Sequence, residues 1–319
     1  MNEFDLIKTY FAAQGDHRRD VRIGIGDDAA IVSLPEKHQL VVTTDTLVAG
    51  VHFPESATAH DIGYKSLAVN LSDLAAMGAT PAWITLAITL PHSDEEWIQS
   101  FCSGFFTLAN YHQVQLIGGD ITHGPLSITV QAMGYVPNNQ GLLRSNAKPG
   151  DLIYVTGTLG DAGLALRFIQ NKIKLEPSKQ RAILTRFHHP EPRIVTGKAL
   201  LYIANSCIDI SDGFAADLSH ILEASGVGAR INTSLLPLSD ELVHSVSHDI
   251  AVELALTGGD DYELCFTIPP EKRDLLTTTL STIACRYTHV GEITETPGLI
   301  LTDKEGNEYH GEIHGYQHF

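Results

Sequence analysis

Ile23-Gly24-Ile25-Gly26-Asp27-Asp28-Ala29-Ala30 is the stretch on which the choice of fold turns. Residues 24–29 fit Gly-x-Gly-x-x-Ala, the turn of a dinucleotide-binding βαβ unit. Such a turn joins a strand to a helix whose amides face a pyrophosphate. Here only Val21-Arg22-Ile23 precedes it, and Ala30-Ile31-Val32 after it reads as strand rather than helix. Two aspartates would also face the anion where helix amides should. The dinucleotide fold is therefore rejected. An Asp-rich turn remains, either a plain turn, which aspartate commonly forms, or a pair of carboxylates offered to a cation.

The rest of the chain favours the cation. Aspartates recur beside glycines or hydroxyl residues at the ends of apolar runs. They stand in Thr43-Thr44-Asp45-Thr46, Ser72-Asp73, Gly118-Gly119-Asp120, Asp209-Ile210-Ser211-Asp212-Gly213 and Gly258-Gly259-Asp260-Asp261. Each has an ordinary reading by itself: a solvated strand end, a strand-to-loop turn, or an N-cap at Ser211-Asp212. Capping does not explain Asp209, which on a strand shares a face with Ser211. Together they are strands delivering oxygen donors to sharp turns, which suits hard cations such as Mg2+. Several such ions in one site point to a polyphosphate substrate. Basic candidates are few. Arg144, in the turn-rich Leu143-Arg144-Ser145-Asn146-Ala147-Lys148 segment, is either a phosphoryl clamp or a solvated loop charge. His52, just after the Asp45 cluster, is either a substrate contact or an exposed strand histidine.

Composition narrows the function. With 38 acidic and 21 basic residues among 319, the net charge is −17. That disfavours nucleic acid and anionic membrane surfaces, whose binding needs basic stripes. An acidic protein that handles phosphates needs metal to mediate the contact. The N-terminus lacks the basic-then-apolar order of a signal peptide, and no apolar run approaches a membrane span of about 20 residues. Cys102, Cys207, Cys265 and Cys285 are far apart, which suits reduced thiols in a cytoplasmic protein better than zinc. No P-loop, His-Arg-Asp or Asp-Phe-Gly signature exists.

Strand and helix patterns mix in both halves, predicting an α+β (mixed α/β) protein. Helices are expected over 3–14, 61–77, 93–112, 161–170, 179–187, 193–204 and 215–224. Strands are expected over 29–34, 39–44, 83–90, 114–117, 126–136, 151–156, 262–268, 287–293 and 299–302. Ser93 and Glu96 form a capping-box pattern. Pro137-Asn138-Asn139-Gln140-Gly141 reads as a linker, giving domains at 1–140 and 141–319. Ser72-Asp73 and Gly118-Gly119-Asp120 are echoed at nearly equal spacing by Ser211-Asp212 and Gly258-Gly259-Asp260, which suggests a duplicated plan.

The ordered motifs resemble the thiamine-monophosphate kinase family. They are Gly26-Asp27-Asp28-Ala29-Ala30, Thr44 to Phe53, Asn70 to Ala79, Gly118-Gly119-Asp120, Ile208 to Gly213 and Gly315-Tyr316-Gln317-His318-Phe319. Most are shared with relatives such as aminoimidazole ribonucleotide synthetase and selenophosphate synthetase. Val51-His52-Phe53 and the Gly-Tyr-x-His-Phe ending separate the kinase from them.

The resemblance implies a two-domain aminoimidazole ribonucleotide synthetase-like fold, with N-terminal domains forming a barrel across a homodimer. In it the N-terminal domain binds ATP and Mg2+, and the C-terminal domain completes the site. It implies ATP-dependent phosphorylation of thiamine monophosphate to thiamine diphosphate. Asp28, Thr43, Thr44, Asp45, Asp73, Asp120, Asp209 and Asp212 are the implied Mg2+ ligands. Gly119, Asp120, Arg144 and Ser211 are the implied ATP contacts, and His52, Asp260 and Tyr316 the substrate contacts. Asp45, Asp120, Arg144 and Asp212 are the residues expected to carry catalysis. Two positions depart from the family. Asp260 replaces the first glutamate of Gly-Gly-Glu-Asp-Tyr-Glu-Leu, and Ile121-Thr122-His123 replace Thr-Thr-Arg. The rival classes are a sister enzyme of the superfamily and a non-catalytic acidic metal-binding module.

Overall fold

The structure, a computed structural model, describes residues 3–12, 14, 15 and 17–309. Two compact units emerge, residues 1–74 with 79–139 and residues 75–78 with 140–319. The first contains α1 (Glu3–Leu6), continued as one π turn over Ile7–Phe11, and β1 (Val21–Ile23), β2 (Ile31–Val32) and β3 (His38–Val48). Then come α2 (Ala59–Ala76), β4 (Thr80–Leu90), α3 (Glu95–Tyr111), β5 (Gln115–His123) and β6 (Ser127–Pro137).

β1 and β2 pair antiparallel, so residues 24–30 form the loop between two strands. The helix that a dinucleotide turn needs is replaced by strand, as the sequence predicts. The main sheet runs β3-β6-β4-β5, with β4 and β5 parallel and the other pairs antiparallel. Alternate residues of β6, among them Ile128, Val130, Ala132 and Val136, are buried. That period of two marks a sheet with one covered face. α2 is buried nearly all round, and it meets α3 backbone to backbone. A Cβ on Gly63 would lie 2.1 Å from the Phe101 carbonyl oxygen, so only glycine fits this approach.

The second unit holds β7 (Leu152–Thr156), α4 (Asp161–Ile169), α5 (Pro177–His188), α6 (Ile194–Leu200), β8 (Ser206–Asp209), α7 (Phe214–Ser225) and β9 (Gly228–Asn232). It ends with α8 (Asp240–Val243), α9 (His248–Thr257), β10 (Leu264–Ile268), α10 (Arg273–Leu280), β11 (Tyr287–Thr294) and β12 (Gly298–Thr302). Its sheet runs β12-β9-β11-β7-β10-β8, antiparallel except for β12 on β9. Phe214, Leu218, Ile221 and Leu222 of α7 and Val252, Ala255 and Leu256 of α9 pack with Ile153, Val155, Ile208 and Cys265 in one core. This core anchors the end of β8, where Asp209 emerges.

Three local expectations are corrected. The cap of α3 is Asp94, not Ser93: its carboxylate accepts from the Glu96 and Trp97 amides. Gly118-Gly119-Asp120 lies inside β5 rather than in a turn after it, because pairing with β4 continues to His123 past a bulge. The duplicated plan does not reach local structure. Ser72-Asp73 is inside α2, whereas Ser211-Asp212 is in the loop before α7, and Gly258-Gly259-Asp260 joins α9 to β10. Gly213, with φ 119°, separates the second Ser-Asp pair from its helix, and α2 has no such break.

Candidate active site

In the first unit, β3 and α2 assemble an oxygen-rich group. Strand alternation turns Thr43, Asp45 and Leu47 to one face and Thr44 and Thr46 to the other. Thr43 Oγ1 donates to Asp73 Oδ2 at 2.5 Å, and the Asp45 amide donates to Asn70 Oδ1 at 3.1 Å. Asn70 and Asp73 are three apart on α2 and so share a helix face. Burial, reinforced by the charge on Asp73, pushes the Asp45 carboxyl up to about 7. Two carboxylates and a hydroxyl in this arrangement fit Mg2+: the donors are hard oxygens, and a divalent cation relieves the repulsion between the acids.

The other predicted residues of this unit are more dispersed. The Thr44 hydroxyl is on the opposite face of β3, 3.4 Å from Gln131 Nε2, so Thr44 meets the Asp45 group only through its backbone. Asp28 is exposed in the β1–β2 loop, where its amide donates to Asp27 Oδ1. Asp120 is exposed on β5. Its strand lies three places from β3 in the sheet, about 14 Å at the usual inter-strand spacing. Register also sets Asp120 with Ala87, Thr129 and Thr46, on the face of the sheet opposite Asp45. Beside Asp120, a Cβ on Gly119 would lie 1.9 Å from the Leu86 carbonyl oxygen, so a side chain there breaks the β4–β5 ladder. His52 closes the turn after β3. Its Nδ1 accepts from the Val48 amide at 3.0 Å, which leaves Nε2 as the hydrogen-bond donor of the neutral ring.

In the second unit, Asp209, Ser211, Asp212 and Asp260 come together. Asp209 is opposite Leu264, the first residue of β10. Beyond the strands the pairing continues, with the Tyr262 amide donating to the Ile210 carbonyl and the Asp260 amide to the Ser211 carbonyl, both at 2.8 Å. Asp260 and Tyr262 have φ of 68° and 49°, and the Tyr262 hydroxyl donates to Asp260 Oδ1 at 3.0 Å. Arg144 is exposed and follows Leu143, whose carbonyl accepts from Cys207 of β8. It therefore stands beside the strand that carries Asp209. Tyr316 lies outside the described residues.

Several supporting residues escaped the sequence reading. Asn70 left a signal, a buried amide in an otherwise apolar run three residues before Asp73. Asp217 left none, since an acid in the first turn of a helix reads as dipole compensation. Asp261 and Glu263 stood inside the predicted acidic motif but do different work. Asp261 accepts from the Gly160 and Ala162 amides at the start of α4. Burial pushes its carboxyl well above the usual range. Glu263 is buried and takes both Nε and a terminal nitrogen of Arg193, at 2.7 and 2.6 Å, along with Arg186 and Thr156. The motif thus spends two of its acids, Asp261 and Glu263, on the scaffold.

Comparison with known proteins places these geometries in a family. Residues 26–136 match the AIR synthase related protein, N-terminal domain, and residues 148–304 the C-terminal domain. The chain is 49% identical to the thiamine-monophosphate kinase of Escherichia coli (strain K12), over 99% of this chain and 98% of that one. A crystal structure of thiamine-monophosphate kinase from Stenotrophomonas maltophilia K279a superposes with a TM-score of 0.86 at 47% identity, covering 89% of this chain and 92% of that one. AaThiL complexed with AMPPCP and TMP superposes with a TM-score of 0.78 at 31% identity, covering 92% of each chain.

Proposed function

The chain belongs to the thiamine-monophosphate kinase family, and on that premise we propose that it phosphorylates thiamine monophosphate with ATP to give thiamine diphosphate and ADP. One observation carries the reading: a relative sharing nearly the full length of the chain binds AMPPCP and TMP together, the pair of ligands this reaction requires. The donor groups at Asp45–Asp73 and Asp209–Asp212 suit a polyanionic pair of substrates held through cations.

A phosphate monoester is largely dianionic at pH 7, its second pKa being about 6. The acceptor therefore needs no general base. Its oxygen forms a bond to the γ-phosphorus as the bridging β–γ bond breaks, and the electron pair leaves on ADP. The obstacle is repulsion between two anions, so positioning and charge neutralisation do most of the catalysis. Bound Mg2+ supplies that neutralisation. Asp28, Asp45, Asp73, Asp120, Asp209 and Asp212, with the Thr43 hydroxyl and the Thr44 carbonyl, are the residues proposed to hold it. Gly119 lets a nucleotide approach β5 closely, Ser211 offers its hydroxyl to phosphate, and Arg144 clamps a phosphoryl group. His52 offers its Nε2 proton and Asp260 its carboxylate to thiamine monophosphate, and Tyr316 joins them by family resemblance.

Two wider properties belong to the proposal. β3 is an edge strand whose outward Leu40, Val42 and Val48 are exposed. An exposed apolar edge is a pairing surface, which supports a homodimer joined through the N-terminal units. No helix among the described residues is long and apolar enough to cross a membrane, and all four cysteines are unpaired. A cytoplasmic enzyme dependent on ATP is consistent with both. Incubation of the purified protein with ATP, Mg2+ and thiamine monophosphate should yield thiamine diphosphate. Formation of ADP only with a different acceptor would assign the chain to another reaction of its superfamily.

A further inference from the structure

We infer that Asp217 is a positioning residue for phosphoryl transfer, an internal acceptor that occupies the amides of the Ser211–Gly213 loop and so fixes Ser211 and Asp212 toward the substrates. The inference rests on the kinase reading above. One oxygen, Asp217 Oδ2, accepts from the amides of Ser211, Asp212 and Gly213, at 3.0, 3.0 and 3.1 Å. Asp217 is 2% exposed. Three successive amides converging on one point form a nest of the kind that elsewhere binds a phosphate oxygen. Here the protein fills it with its own carboxylate.

The other side of the loop is equally committed. The Ile210 amide donates to the Glu263 carbonyl, the Ile210 carbonyl accepts from Tyr262, and the Ser211 carbonyl accepts from Asp260. The Gly213 carbonyl accepts from the Asp217 amide. A Cβ on Gly213 would lie 2.9 Å from the Thr257 carbonyl carbon, so the loop packs against the end of α9 with no room for a side chain. Every amide from 210 to 213 is thus used inside the protein. The loop has no backbone donor left for a substrate, and its side chains offer the Ser211 hydroxyl and the Asp212 carboxylate. Their direction is set by a backbone that Asp217 pins from beneath. This explains why a phosphate-handling loop beside a helix start carries acids: its anion-binding amides are already satisfied, and substrate phosphate must be met through cations.

The test compares Asp217→Ala with Asp217→Asn. Asparagine keeps an oxygen that can accept from the same amides, while alanine removes it. Expected for Asp217→Ala are a fall in kcat of at least 100-fold, a KM for thiamine monophosphate within about threefold of the parent, and Mn2+ affinity weakened at least tenfold in calorimetric titration without substrates. Asp217→Asn should restore kcat to within about tenfold of the parent, along with the Mn2+ affinity. Parent-like turnover and Mn2+ binding in Asp217→Ala would overturn the proposal. So would an alanine variant that does not fold, or losses in both variants that follow melting temperature, since either assigns Asp217 to stability alone. Failure of the parent protein to form thiamine diphosphate would instead reject the kinase reading itself.

Discussion

The Asp45 carboxyl on β3 is held up to about 7 by burial and by the charge of Asp73 on α2, which also accepts from the Thr43 hydroxyl. These groups are costly to hold together, and the cost lies where a metal would act. Natural sites often give up stability in this way for function.

The sign of the pH dependence follows. The folded Asp45 keeps a proton that the unfolded chain, with an ordinary carboxyl value near 3.8, has released. Stability associated with Asp45 is therefore full below pH 3.8 and is lost as pH rises through about 7. In metal-free protein, Asp45→Asn should melt higher than the parent at pH 8, by about 1–3 kcal/mol, and equally near pH 4. Its turnover should fall by roughly 100-fold or more. Added Mg2+ should raise the parent's melting temperature more at pH 8 than at pH 5.5. Calorimetric melting across pH with and without Mg2+ measures all three stability effects; an unchanged melting temperature with full activity would remove Asp45 from the metal group.

Gly119→Ala should damage both stability and turnover. The new methyl meets the Leu86 carbonyl oxygen, which belongs to the β4 backbone and cannot rotate away. A loss of about 1–3 kcal/mol in urea denaturation is expected, with Asp120 displaced as β5 shifts. Kinetics should show a weakened response to ATP.

Glu263→Gln should act on the scaffold. Arg193, 9% exposed at its side chain, would lose its buried charged partner. The exposed Glu191, 2.8 Å away, remains as its charged partner, so the expected cost is about 2–3 kcal/mol rather than that of an unpaired buried charge. Chemical denaturation should report this loss, and whatever protein remains folded should bind nucleotide normally.

Paired Leu40→Lys and Val42→Lys changes should abolish the proposed dimer. Both side chains are about half exposed on an edge strand, and lysine on an edge opposes pairing. Sedimentation should show a dimeric parent and a monomeric variant. A monomeric parent would reject the dimer.

The sequence made the fold readable wherever period and punctuation agreed. α2 was legible from its apolar run and Gly78 stop, and β6 from strict alternation. β8 is not legible as a strand because Ser206–Asp209 is only four residues long and ends in an acid. β9 and α9 were missed as well. The strand Gly228–Asn232 begins with glycine, and α9 is too apolar all round to show an amphipathic stripe. At the site, spacing singled out candidate aspartates but not how they divide between the two units. That Asp120 lies three strands from Asp45 and that Asp261 caps a helix are consequences of strand order and tertiary pairing. Asp217 was invisible because its role depends on a backbone curl that brings three amides to one oxygen.

Supplying ATP labelled at the γ-phosphoryl group, with Mg2+ and thiamine monophosphate, tests the central claim most directly. Label should pass into thiamine diphosphate with one ADP formed per product, and protein incubated with labelled ATP alone should retain none. Label retained on the protein, or ADP released without labelled thiamine diphosphate, would contradict direct transfer between the two substrates.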